Sequence, residues 1–250
     1  IVMRLVGSEM CIRDRDINLG CSGYVYGLST AASLLSNMPG KKGLLLVGDV
    51  STSTLSDADK SVAPLFSDAG SATALEWKNG EMMHFNLQSD GAGYDAIIIP
   101  EGGMEKPFSQ KSLDKKEIEP GIKRSGLDVI LNGVRVFNFS LREVAPNVNQ
   151  LLETARIEKK AVDYFVFHQA NKLMNESIRR KLKLPPEKVP YSLHDFGNTS
   201  CATVPVTMVS EIREVLQTKS LSLVLSGFGV GLSWGSVLLE TNGIFCPDMI

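Results

Sequence analysis

The chain has 250 residues, 43% apolar and 22% charged, with a formal net charge of -2; that length supports one large domain or two fused halves around a substantial core. The near-neutral charge excludes a broad basic footprint for nucleic acid, and no apolar run reaches the roughly 18 residues needed to cross a bilayer. Cys11, Cys21, Cys201 and Cys246 are far apart with no C-x-x-C pair, which argues against a zinc site and fits reduced thiols in a cytoplasmic protein.

Along the chain, residues 1–15 show no periodicity and join abruptly to a patterned segment; they are expected to be a leader foreign to the domain. Residues 16–19 read as the end of a strand. Residues 24–35, rich in Ala, Leu and Ser, predict a helix closed by the breaker at 37–40. The run G-L-L-L-V-G at 43–48 is short, apolar and bounded by glycine, which predicts a buried strand. A further strand is expected at 71–76, and a glycine-rich stretch at 90–103 surrounds the apolar run 96–99. The charged stretch 105–124 reads as an exposed loop or insertion. A helix over 136–154 is expected to bend or restart at Pro146, because proline removes a helical hydrogen bond. Then come a strand at 162–167, helices at 172–182 and 202–216, a strand at 221–225, and a glycine-rich turn at 227–240 leading into a last strand. Alternating strands and helices predict an α/β fold with buried, mostly parallel sheet. The similar rhythm of the two halves suggests a duplication, with a division near 84/85 that gives segments 16–84 and 85–250.

Four features carry candidate chemistry. Cys21, in G-C-S-G, lies between a strand end and a helix start, where the positive end of the helix dipole favours thiolate over thiol, the reactive form for acyl transfer. Taken alone, it fits an inert buried cysteine as well. His168 follows an apolar strand, the position from which polar side chains reach the ligand crevice of α/β sheets; it fits a base, a donor or a structural histidine. His84 and His194 read as structural or exposed. Asn198, in G-N-T-S before a helix, fits a helix cap or a neutral donor to a carbonyl oxygen. The run G-F-G-V-G at 227–231 can bring a backbone N–H close to substrate. No Gly-Lys-Ser/Thr follows it, which excludes a phosphate loop.

Together, D-I-N-L-G-C-S-G-Y-V-Y-G-L, L-F-S-D-A-G-S-A, H-Q-A-N, F-G-N-T-S and G-F-G-V-G-L-S-W-G stand in this order. From about residue 16 to 240 the chain resembles the β-ketoacyl-[acyl carrier protein] synthase III family. The resemblance implies a thiolase-like fold of duplicated βαβ halves with buried mixed sheets, the first half incomplete. It implies that Cys21 is acylated by an acyl-CoA primer. His168 and Asn198 would hold the thioester carbonyl of malonyl-acyl carrier protein while carbon dioxide leaves, and the backbone N–H groups of Cys21 and Val230 would form an oxyanion hole. Asn171, Lys60 and Gly229 would contact CoA or substrate. No metal or cofactor is implied beyond the two thioester substrates, and the complete protein would be a cytoplasmic homodimer with no membrane or nucleic-acid partner. Val230 stands where the family commonly has glycine, Lys60 where it often has arginine, and Ser67 and Ser71 interrupt a stretch that is usually richer in glycine. Lysine lacks the planar fork of arginine, which weakens the expected grip on CoA.

Three other readings remain at this level. A papain-like hydrolase would use the same Cys–His–Asn order, though the βαβ pattern opposes it. A non-catalytic partner subunit of a condensing enzyme, or an inactive fragment of one, are the others.

Overall fold

The computed structural model describes residues 15–80 and 82–250; the expectation for a foreign leader falls almost wholly outside them. The elements in chain order are α1 (Gly23–Ser36), β1 (Lys42–Asp49), β2 (Ala69–Glu76), β3 (His84–Ser89), β4 (Ile97–Ile98), β5 (Lys116–Glu119), β6 (Ile122–Arg124), β7 (Ile130–Leu131), α2 (Gly133–Ala155), β8 (Tyr164–Phe167), α3 (Lys172–Leu182), the single turn α4 (Leu193–Phe196), α5 (Thr203–Thr218), β9 (Ser220–Gly229) and β10 (Ser233–Asn242).

The main sheet runs β3-β10-β9-β8. Strands β8 and β9 are rich in apolar residues because both of their faces are covered. On β8, Phe165 and Phe167 enter one core while Val166 enters the other; β9 divides Val224 and Phe228 from Leu223 and Leu225 in the same way. The first core is closed by α2 and α3, with Val144, Val148, Leu151 and Ile178. The second is closed by α1 and α5, with Tyr24, Leu28, Val204 and Leu216. On the far side of α1 and α5 lies an antiparallel pair, β1 with β2, whose Leu45, Val47 and Leu75 pack against that second core. The layers are thus helices, sheet, helices, sheet.

Several sequence expectations change. Only β8 and β9 pair in parallel; the other ladders are antiparallel, so the sheet is mixed. Residues 16–19 form no strand, having no ladder partner among the described residues. β1 is not buried on both faces: Leu44 and Leu46 are 58% and 53% exposed. Its apolar run reads like that of a central strand, but burial depends on a neighbouring layer as well as on composition. α2 runs through Pro146 without restarting. The charged stretch 105–124 contains the β5–β6 hairpin, and Arg124 pairs there with the fully buried Asp59. His84 opens β3, a strand that pairs with β10 and that its weak apolar pattern concealed. Among the described residues no helix is long and apolar enough to cross a membrane.

Candidate active site

Cys21 precedes α1, directly before the cap residue Ser22. Two devices seat it against the β9–β10 hairpin. The buried hydroxyls of Ser22 and Ser233 are hydrogen-bonded at 2.6 Å, and Ser233 Oγ donates to Val230 O at 2.8 Å. Glycine does the rest: a Cβ at Gly229 would lie 2.7 Å from Cys21 Cβ and 2.8 Å from its Sγ, and one at Gly227 would lie 2.9 Å from Cys21 O. Only a bare backbone lets β9 pass this close to the thiol.

The backbone N–H groups of Val230 and of Cys21 itself, together with the Ser200 hydroxyl, are in hydrogen-bonding contact with the thiol. These two N–H groups are the expected oxyanion hole. Burial nevertheless pushes the Cys21 thiol up to about 11, with Asp49 adding to the rise, against the lowering effect of those contacts. The sequence expectation that the helix terminus would favour thiolate is therefore corrected: desolvation of the charged form outweighs the dipole.

His168 continues β8 by one residue. Its N–H donates to Ser226 O at 2.7 Å, and its own carbonyl accepts from Asn175 Nδ2 at 3.0 Å. The ring meets Phe228 edge-on, centroids 5.4 Å apart, and its Nδ1 lies 2.7 Å from Thr203 Oγ1. Burial holds the imidazole well below its usual value, at about 3; it is neutral at physiological pH.

Asn198 is bridged to Phe66. Its N–H donates to Leu65 O, and its carbonyl accepts from Ser67 N, both at 3.0 Å. The Ser67 hydroxyl donates to Phe196 O. The serine that interrupts the glycine stretch thus clamps G-N-T-S against the segment before β2. The Asn198 side chain fixes itself through Oδ1, which accepts from Ser200 N at 2.9 Å; its Nδ2 is left as a donor.

Cys21, His168, Asn198, Asn171, Gly229 and Val230 all line one cavity of about 750 Å³. Asn171 also caps α3 through Oδ1, which accepts from Met174 N at 2.8 Å. The Val230 side chain packs over Gly20, where a Cβ would overlap Val230 Cγ1. Lys60 is not brought to the cavity wall, although Ser61 is; its ammonium donates to Pro120 O at 2.7 Å. Sequence reasoning passed over Ser200, Thr203 and Asp49. Ser200 has φ 52°, a left-handed conformation unusual outside glycine and a mark of functional sites. The only signal in the sequence was its place in G-N-T-S.

Sequence models of 3-oxoacyl-[acyl-carrier-protein] synthase III match residues 15–91, and of its C-terminal part residues 152–241. The β-ketoacyl-[acyl-carrier-protein] synthase III of Streptococcus agalactiae is 33% identical over 229 residues, covering 90% of this chain and 67% of that protein. The chain belongs to the 3-oxoacyl-[acyl-carrier-protein] synthase III family. A 3-oxoacyl-(acyl-carrier-protein) synthase III crystal structure at 2.1 Å superposes with a TM-score of 0.84 at 37% identity, over 91% of this chain and 68% of that one. The 3-oxoacyl-(acyl-carrier protein) synthase of Burkholderia xenovorans does so with 0.85 at 38%, over 94% and 66%. The fold is thus the thiolase-like α/β fold of these synthase III structures, and the family is one of condensing acyltransferases. The chain spans about two thirds of the length of these relatives.

Proposed function

We propose that this synthase III chain joins an acyl-CoA primer to malonyl-acyl carrier protein by decarboxylative Claisen condensation. The carrying observation is the convergence of a thiol, a neutral imidazole and a neutral amide on one cavity, with two backbone N–H groups at the sulfur. In the first step the Cys21 sulfur attacks the primer thioester. The oxyanion develops beside the N–H groups of Cys21 and Val230, and CoA leaves as a thiol, taking up the proton that the cysteine gives away. Because the free thiol is held at about 11, donors that strengthen as charge moves from sulfur to oxygen favour this step most.

In the second step the malonyl thioester carbonyl takes hydrogen bonds from His168 and from Asn198 Nδ2. Carbon dioxide departs, and the electron pair of the broken C–C bond is held as an enolate by those two donors. The carbanion attacks the acyl-Cys21 carbonyl, the sulfur leaves, and a β-ketoacyl thioester is released. Two neutral donors suit this chemistry, since neither can protonate the nascent carbanion cheaply at pH 7. No metal or organic cofactor enters the proposed steps. Asn171 would contact the CoA arm from the cavity wall. Lys60, held by Pro120, would need to leave that carbonyl to do so. A homodimer of the complete protein in the cytoplasm completes the proposal.

The test is intact mass after incubation with acetyl-CoA and longer acyl-CoAs. One acyl increment that disappears in Cys21→Ala is expected. A folded protein that takes no acyl group from any of them would count against the reading.

A further inference from the structure

Thr203, the first residue of α5, is 1% exposed. Its hydroxyl stands between two groups: His168 Nδ1 at 2.7 Å and the Ser200 carbonyl at 3.0 Å. That carbonyl is also within hydrogen-bonding reach of the imidazole. One hydroxyl proton cannot serve both lone pairs, so there are two self-consistent arrangements. In the first, Thr203 donates to Ser200 O, Nδ1–H donates to Thr203 Oγ1, and Nε2 faces the cavity as a bare lone pair. In the second, Thr203 donates to Nδ1, and Nε2 carries the proton. Only the second supplies a donor for a thioester carbonyl, and the contact to Nδ1 is the shorter of the two.

We propose that Thr203 is the positioning residue of His168, its hydroxyl proton on Nδ1 selecting the Nε2–H tautomer that decarboxylation requires. This inference rests on the condensation reading. Because the imidazole is buried and neutral, the tautomer is the protonation choice open to it at pH 7. The assignment follows from chemistry: without the hydroxyl that stands between Nδ1 and the Ser200 carbonyl, that carbonyl is the polar group left within reach of the imidazole. A carbonyl only accepts, so it pulls the ring proton to Nδ1 and strips Nε2 of its donor.

The chain has three histidines, which makes the tautomers readable by ring ¹⁵N chemical shifts, with His84→Gln and His194→Gln for assignment. Wild type is expected to show His168 as Nε2–H. Thr203→Val, which keeps the shape of the side chain, is expected to show it as Nδ1–H. The same variant should lose at least tenfold in malonyl-thioester decarboxylation while Cys21 acylation by acyl-CoA stays within about twofold. That selective loss is a transition-state effect. Thr203→Ser should restore tautomer and rate together. Thr203→Ala carries the same expectation should the valine fail to unfold cooperatively. Nε2–H persisting in a folded hydroxyl-free variant, Nδ1–H in the wild type, or an unchanged decarboxylation rate would each overturn the proposal. Absence of a Cys21 adduct in wild type would instead count against the condensation reading, and the ¹⁵N spectra would still decide the role of Thr203.

Discussion

Two of the sheets flank the candidate site under different conditions. The β3-β10-β9-β8 sheet is packed on both faces, and His168 extends its one parallel edge. The β1–β2 pair is packed on one face only, with Leu44 and Leu46 open on the other. Cys21 belongs to the helix layer between them. Its sulfur is fixed from the well-packed side, by Gly229 and Val230 of the β9–β10 hairpin, while Asp49 at the end of β1 reaches it only through charge. The contrast teaches that geometry at the sulfur is set by the deeply buried sheet, whereas the outer pair contributes mainly field and cavity wall.

The sharpest test lies where the two regions meet. Gly229→Ala puts a methyl within 3 Å of the Cys21 sulfur, so acylation is expected to vanish in the mass assay, with cooperative unfolding retained. A Gly229→Ala protein that acylates at the wild-type rate would break the claim that β9 fixes the thiol. Next in size, Phe165→Ala on β8, where the ring is wholly buried, should cost about 3–5 kcal/mol in urea unfolding.

The third prediction is electrostatic. Hydrogen bonds from Arg179 and Tyr191 hold Glu176 down at about 2, with Arg179 at 2.8 Å and the Tyr191 hydroxyl donating at 2.7 Å. A depressed carboxyl stabilises the fold above its unfolded value, about 4.3, and that contribution fades as pH falls through about 2. Glu176→Gln should therefore flatten the loss of stability between about pH 5 and 2 and leave activity unchanged. An identical acid limb in the variant would remove Glu176 from the account. Smallest of all, Leu46→Ala on the open face of β1 should stay within about 0.5 kcal/mol. A loss comparable with Phe165→Ala would erase the distinction between the two sheets.

Much of this was legible in the sequence, and what was missed has physical causes. The helix expected at 172–182 coincides with α3, Lys172–Leu182. Cys21, His168 and Asn198 were visible because each lies at an element end, within a motif. β3 was concealed because its residues are half-buried on an edge, where selection for apolar side chains is weak. β1 misled because G-L-L-L-V-G reports a strand but cannot report how many layers cover it. The thiol was misjudged because a sequence shows the helix terminus but not the burial that opposes it. Thr203 was invisible because its importance lies in a contact made 35 residues away in the chain, to His168.

The bond between Ser22 and Ser233 spans 211 positions, and that separation has a consequence during synthesis. At about 5–20 residues per second, on the order of 10–40 s separate translation of Ser22, the neighbour of Cys21, from that of its partner. Throughout that interval Cys21 has neither the glycine-lined hairpin above it nor the hydrogen bonds that surround it in the finished protein. It passes through that stage without the burial that raises the thiol in the folded chain. Until the hairpin closes over it, desolvation does not oppose ionisation, so the growing chain carries a larger thiolate fraction at Cys21 than the folded one.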